Sequence, residues 1–410
     1  MRMSTKSLAA LTVTVLALAG CASGASGGGQ STGGGDAPAG DPIAIGASLP
    51  LTGPLASFGP ILEAGYQAAV DEVNAAGGLV IDGETREVEL IVQDSASDPN
   101  AVTEQSRALV LQDGVVGLLG SVSPGLTIPA SNVAELERVP MVSTLTPNFA
   151  WKAGNEDGWQ YSWNMFLDEQ QLIDVSFGTA ALAETNGKVA IFADTEEDGI
   201  ATGGLWEADA EANGFEIVYR ADFPALTTDF TAHINAAKAA GAEVMLGVMI
   251  PPDSFALWKQ MAALGWVPKV AFCQKCNSQA SFQAELGPLA EGASVAYLAN
   301  PSDSPEFADL IAQFTEVYGE TTDLNSALAA YSAAAVLLDA IEAAGTTDAD
   351  AVNEALAATD AEYPIGTVAF DDEHGYAADV AGLQWQGEAQ VEVFPTGDGT
   401  LVTPVVGLEQ

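Results

Sequence analysis

The sequence predicts an α/β protein made of two doubly wound lobes. Apolar runs of strand length alternate with segments of helical periodicity, which is the signature of βαβ units around a parallel sheet. The alternation restarts once, after Trp163, and a mainly helical tail follows the second half.

The first half opens with an apolar strand at 43–49. Residues 59–76 place Ile61, Leu62, Gly65, Ala68, Ala69 and Val73 at helical spacing, and Gly77-Gly78 ends the run. A strand at 88–92 precedes a helix at 99–113 that opens on Asp98-Pro99. A short strand at 115–119, a helix at 125–136 and a strand at 139–143 complete this half. The second half reads helix 169–184, strand 188–193, helix 200–213, strand 216–219 and helix 229–240. It continues with strand 243–249, helix 253–264 and strand 269–272. The tail adds helices at 305–318, 326–344 and 348–357, then short strands near 366–370 and 380–393. The tail helices need apolar surface to cover, and the first lobe is the natural partner.

Residues 1–20 have the layout of an export signal. Arg2 and Lys6 precede an apolar run from Leu8 to Leu18 that is too short to span a bilayer. Leu18-Ala-Gly-Cys21 resembles the bacterial lipobox, which implies lipidation of Cys21 and cleavage just before it. An ordinary signal peptide with a chance cysteine is the alternative. Residues 21–41, rich in Gly and Ser, read as a flexible tether. Beyond Pro42 no apolar stretch is expected to span a membrane. The expected location is therefore outside the cell membrane, held to its outer face by lipid.

The chain carries 12 Lys and Arg against 56 Asp and Glu, a formal net charge of −44. That excludes the basic face a nucleic-acid binder needs. A solvated acidic surface is the plain reading of the excess. Of three cysteines, Cys273 and Cys276 remain after Cys21, in Phe-Cys-Gln-Lys-Cys. In an exported chain the pair points first to a disulfide; a redox pair and half a metal site are the alternatives. His233 and His374 are the only histidines, so no metal ligand set is apparent, and no cofactor is expected. Catalysis is not expected either. No Gly-x-Gly-x-x-Gly follows the first strand of either half, and Gly120-Ser-Val-Ser-Pro-Gly125 has the wrong spacing for a nucleophile elbow.

Several segments resemble the type I periplasmic binding proteins of the branched-chain amino acid (Leu/Ile/Val-binding) class. They are Leu49-Pro-Leu-Thr-Gly-Pro54 with Phe58-Gly59, Val73-Asn-Ala-Ala-Gly-Gly78, Gln93-Asp94 with Asp98-Pro99, and Leu119-Gly-Ser-Val-Ser123. Val139-Pro-Met-Val-Ser143, Asp198-Gly199 and Gly366-Thr-Val-Ala-Phe-Asp371 continue the series to about residue 393. The resemblance implies two Rossmann-like lobes joined by a three-stranded hinge, with crossings near 162–166, 294–299 and 371–376. Lobe one is then 43–162 plus 299–371, and lobe two 166–294 plus 376–405. It further implies a solute-binding lipoprotein, monomeric, that closes on a small amino-acid-like solute and delivers it to ABC permease subunits. A ligand-sensing receptor domain is the alternative output.

Site residues follow from the same resemblance. Phe58 stands where the family packs an aromatic ring on the ligand, though lobe packing explains it as well. Ser123 and the Gly125 N–H stand at a helix start suited to a carboxylate. Leu145 and Thr146 match backbone and hydroxyl contacts, with a simple N-cap as the plain reading of Thr146. In lobe two, Asp198 replaces a usual tyrosine, and Gln274 or Lys275 replaces an ammonium-binding glutamate. Either Asp198 or Glu196 takes an amine, or Lys275 marks a ligand richer in negative charge. The Cys273–Cys276 loop is expected to pin Lys275 towards the solute; a surface disulfide that only shapes a loop is the alternative.

Overall fold

A computed structural model describes residues 40–299, 305–319, 321–395 and 400–409. The predicted leader, Cys21 and the tether up to residue 39 lie outside the described residues. Gly40 and Asp41, placed in the tether by the sequence, are held by the body. The Gly40 N–H donates to the Thr85 carbonyl at 3.2 Å, and Arg86 Nε donates to the Asp41 carbonyl at 2.5 Å.

Two sheets organise the body. The first has six strands, all parallel, in the spatial order Gly375–Ala377, Ser162–Phe166, Met141–Ser143, Gly117–Leu119, Ile43–Leu49, Val88–Asp94. The second runs Ala389–Phe394, Val380–Gln386, Ala293–Leu298, Val270–Gln274, Val244–Val248, Lys188–Asp194, Glu216–Phe223. The strand 380–386 is antiparallel to both its neighbours, 293–298 and the edge strand 389–394, and the remaining pairings are parallel. The central strands are buried along their whole length, as in Val244–Val248 and Val270–Gln274. Parallel sheets covered by helices on both faces require such unbroken apolar runs, which is why these strands were readable.

Helix ends follow their local chemistry. Asp98 caps the helix Pro99–Ala108 by accepting from the Asn100 N–H at 2.8 Å, and Pro99 gives up no needed donor. Gly77, at φ 116°, closes the helix Gly59–Ala76 in a conformation that only glycine adopts freely. The expected helix 99–113 is helical throughout, but its last turn, Leu109–Asp113, is a π-turn. Three short elements carried no readable period: the hairpin Leu79–Ile81 with Glu84–Arg86, and the helices Asn148–Ala153 and Ala280–Leu286.

The helix Thr322–Ala344 is long and apolar enough to cross a membrane, contrary to the expectation for the body. It is instead a core helix, with every residue from Thr322 to Ala334 buried. Its main partner is Gly59–Ala76 of the first lobe, as the tail's need for cover implied. The two helices meet at Gly65, where a Cβ would stand 2.4 Å from the Ala327 carbonyl oxygen and 2.5 Å from the Ala330 Cβ.

The chain passes between the sheets three times, and the passages lie side by side. The Ala378 N–H donates to the Phe166 carbonyl and the Ala299 N–H to the Asp379 carbonyl, each at 2.9 Å. The third passage falls at 378–379 rather than 371–376, because Gly375–Ala377 still pairs with Ser162–Phe166 in the first sheet.

Candidate functional site

The carboxyl ends of the parallel strands in both sheets open on one cavity of about 50 Å³. Crevices at that end of open α/β sheets are where solutes bind. From the first sheet, Phe58, Val122, Ser123, Leu145 and Pro147 form one wall. From the second, Asp198, Thr202, Val248, Gln274, Lys275 and Ser278 form the other. Phe166, Leu167 and Tyr297 close it from the hinge, with Leu172 beside them. The Phe166 and Tyr297 rings meet edge to face, 5.7 Å between centroids, and the Tyr297 hydroxyl bonds Ser326 at 2.8 Å.

Of the residues singled out in the sequence, Phe58, Ser123, Leu145, Asp198 and Lys275 are brought together in this cavity. Gly125 and Thr146 are not among its lining residues. The Thr146 hydroxyl turns into the first lobe and bonds Thr127 at 2.6 Å, while its carbonyl accepts from Asn164. Gly125 faces the second lobe's Glu197, whose Oε2 lies 3.6 Å from where a Cβ would be. Phe166, Leu167 and Tyr297 were missed because they sit on the crossing strands. Their apolar character signals core, and only the fold exposes one side of them to the cavity.

The wall backbone is strained. Ser123, Leu145 and Lys275 have φ of 64°, 53° and 66°, a region that side-chain-bearing residues enter at a cost. The Ser123 N–H donates to the Leu145 carbonyl at 3.1 Å, tying two of the three together. Ser121, one residue before the wall, is buried, and its hydroxyl has no partner among the described residues.

The second lobe's wall carries a charge cluster. Lys275 Nζ lies 2.9 Å from Glu196 Oε2, 3.2 Å from Asp198 and 3.9 Å from Asp194 Oδ2, with only 8% of its side chain exposed. Burial works against the lysine charge, but Asp198, Asp194 and Glu196 outweigh it and hold the pKa above the ordinary value. Burial pushes the Asp194 carboxyl up while Lys275 draws it down. The three carboxylates stand within 4.8 Å of one another, close enough to hold a metal ion, but the lysine ammonium contacts all three. Gly199 lets the helix Glu197–Asp209 begin directly over Asp194, since a Cβ there would sit 2.2 Å from Asp194 Oδ1.

Cys273 and Cys276 are joined in a disulfide with Cα atoms 5.8 Å apart. Both are buried, so the bridge lies inside the lobe rather than on its surface. It spans the turn that carries Gln274 and Lys275 into the wall. At the hinge, Glu169 is fully buried and accepts from the Phe149 and Ala150 N–H groups at 2.6 and 2.7 Å. Burial raises its pKa to about 7 against the pull of those donors.

Comparison with known proteins gives a consistent picture. The profile of a family described as periplasmic binding protein matches residues 42–389. A curated relative, Leu/Ile/Val-binding protein homolog 7 of Brucella abortus, is 27% identical over 371 residues, covering 86% of this chain and 91% of its own. A leucine-binding protein from Thermotoga maritima shares the fold at a TM-score of 0.75 and 20% identity, over 86% of this chain and 97% of that one. A branched-chain amino acid transporter substrate-binding protein from Streptococcus pneumoniae, solved with isoleucine, superimposes at 0.72 and 22%, over 86% and 100%.

Proposed function

The chain belongs to the periplasmic binding protein family, and we propose that it is the extracytoplasmic solute receptor of an ABC importer. It captures a small amphipathic solute, an amino acid or a related acid or amide, and presents it to permease subunits. The relatives' names, which refer to leucine, isoleucine and valine, support that solute class. A lipid anchor on Cys21 and a monomeric state complete the reading.

The observation that carries it is the cavity, whose two walls come from two different sheets connected through side-by-side hinge passages. Solute touching both walls stabilises the closed form over the open one, so binding and closure are linked. The disulfide turn and the strained Ser123 and Leu145 fix the walls in advance, which lowers the ordering cost on binding.

The test is a thermal-shift screen of amino acids, deaminated acids, amides, aromatic acids, polyamines and sugars, followed by small-angle scattering. A solute at ~100 Kd adds ~2.7 kcal/mol and moves the melting curve clearly. The radius of gyration should fall when that solute is added. An unchanged radius at saturation overturns hinge closure, and a response to sugars or polyamines alone overturns the solute class.

A further inference from the structure

The cavity wall holds one acid and one base, and they are already paired. Both Asp198 oxygens lie 3.2 Å from Lys275 Nζ, and Glu196 and Asp194 contact the same ammonium from behind the wall. All four groups belong to the second lobe, so the cluster needs no solute to form. Beside Lys275, Gln274 is 5% exposed and lines the same cavity, and its Nε2 donor has no acceptor among the described residues. Ser123 offers a hydroxyl from the opposite wall. These groups await an oxygen, while the remaining surface is largely apolar, from Phe58, Leu145, Phe166 and Leu172.

We propose that Lys275 is the specificity-determining residue of the cavity: it is a built-in ammonium that occupies the acids. The solute is then a small apolar compound with a carbonyl oxygen and no ammonium of its own, an acid or its amide. This rests on the solute-receptor reading and narrows it. The excess of three carboxylates over one ammonium attracts a further cation through space, which works in the opposite direction. Contact geometry prevails over it. A second ammonium reaching Asp198 would stand against the first in a site shielded from water, where like charges repel most strongly. The Gln274 donor would also be left buried and unpaired.

The experiment is calorimetric titration of the full chain with matched probes. Leucine, 4-methylpentanoate, leucinamide and 4-methylpentanamide share one skeleton; phenylalanine and 3-phenylpropanoate share another. The amine-free member of a pair should bind at least about ten-fold tighter than the amine-bearing one. The acid and amide arms tell which carbonyl group the site takes. Lys275→Met should narrow or reverse the ratio by freeing Asp198 for an amine. If that variant unfolds, Lys275→Met with Asp194→Asn and Glu196→Gln removes the unpaired charge and keeps the readout. Wild-type protein that binds leucine or phenylalanine as tightly as the deaminated partner overturns the proposal. Binding of another solute class alone also overturns it while leaving solute capture intact. A chain that neither binds nor closes on any solute in the wider screen removes the parent reading instead.

Discussion

Lowering the pH from 8 to 5 should stabilise this protein, and Glu169 shows why. Its carboxyl is fully buried where the chain leaves the first sheet, and two backbone donors do not offset the lost hydration. The folded pKa is about 7, against an ordinary 4.5. A folded value above the unfolded one means that the native state keeps a proton the unfolded chain has released. The stabilisation is complete below about pH 4.5 and is lost as the pH rises through 7. A shift of that size corresponds to ~3 kcal/mol across the window, with a slope approaching ~1.4 kcal/mol per pH unit.

Asp253 and Asp323 have pKa values raised to about 7, and Asp194 is raised too, all by burial first, so they act in the same direction. Repulsion within a chain of net charge −44 adds to it. Asp339 is raised by burial as well, and His374, whose pKa is lowered by burial, opposes the trend as one group against these five. Carboxylates held low, such as Asp350, lose their contribution only below 3.8, outside the window. Urea unfolding followed by tryptophan fluorescence at pH 5, 6, 7 and 8 measures the slope. Glu169→Gln should flatten it by about one proton's worth. Stability that climbs from pH 5 to 8, or a Glu169→Gln slope equal to wild type, refutes the reasoning.

Other outcomes follow from packing and the cavity wall. Gly65→Ala should destabilise by ~1–3 kcal/mol in the same unfolding assay, because the clash with Ala327 outweighs the ~0.5–1 kcal/mol gained by removing a helical glycine. Replacing both Cys273 and Cys276 by alanine should weaken solute binding more than it lowers the unliganded melting temperature. The loop closed by that bridge is too short for a large entropic effect, whereas it shapes the turn under Gln274 and Lys275. Phe58→Leu should cost roughly ten-fold in solute affinity, read by titration, with a small change in unliganded melting.

The strands were legible because burial on both faces makes the central ones unbroken apolar runs, whereas Phe58, Ser123, Leu145, Asp198 and Lys275 were singled out through the family resemblance. What the sequence could not show is which groups meet across long separations. Glu196, Asp198 and Lys275 read as independent charges and left two opposite solutes open: an amine for the acids, an anion for the lysine. In the fold, the strands Lys188–Asp194 and Val270–Gln274 both flank Val244–Val248, with Ile191 and Phe272 paired to the same Leu246. Strand spacing of ~4.8 Å puts their carboxyl ends about 10 Å apart. A lysine reaching from one strand end and carboxylates from the other bridge that gap, so charges separated by 77 to 81 residues in sequence are paired before any solute arrives. The same register explains Thr146 and Tyr297. Thr146 lies between the wall residues Leu145 and Pro147 and turns into Thr127, whereas Tyr297 reads as plain core and reaches the cavity because its strand leads into the hinge. The decisive variable at this site is therefore how charge is already paired within the lobe, and that is a property of strand order rather than of any local motif.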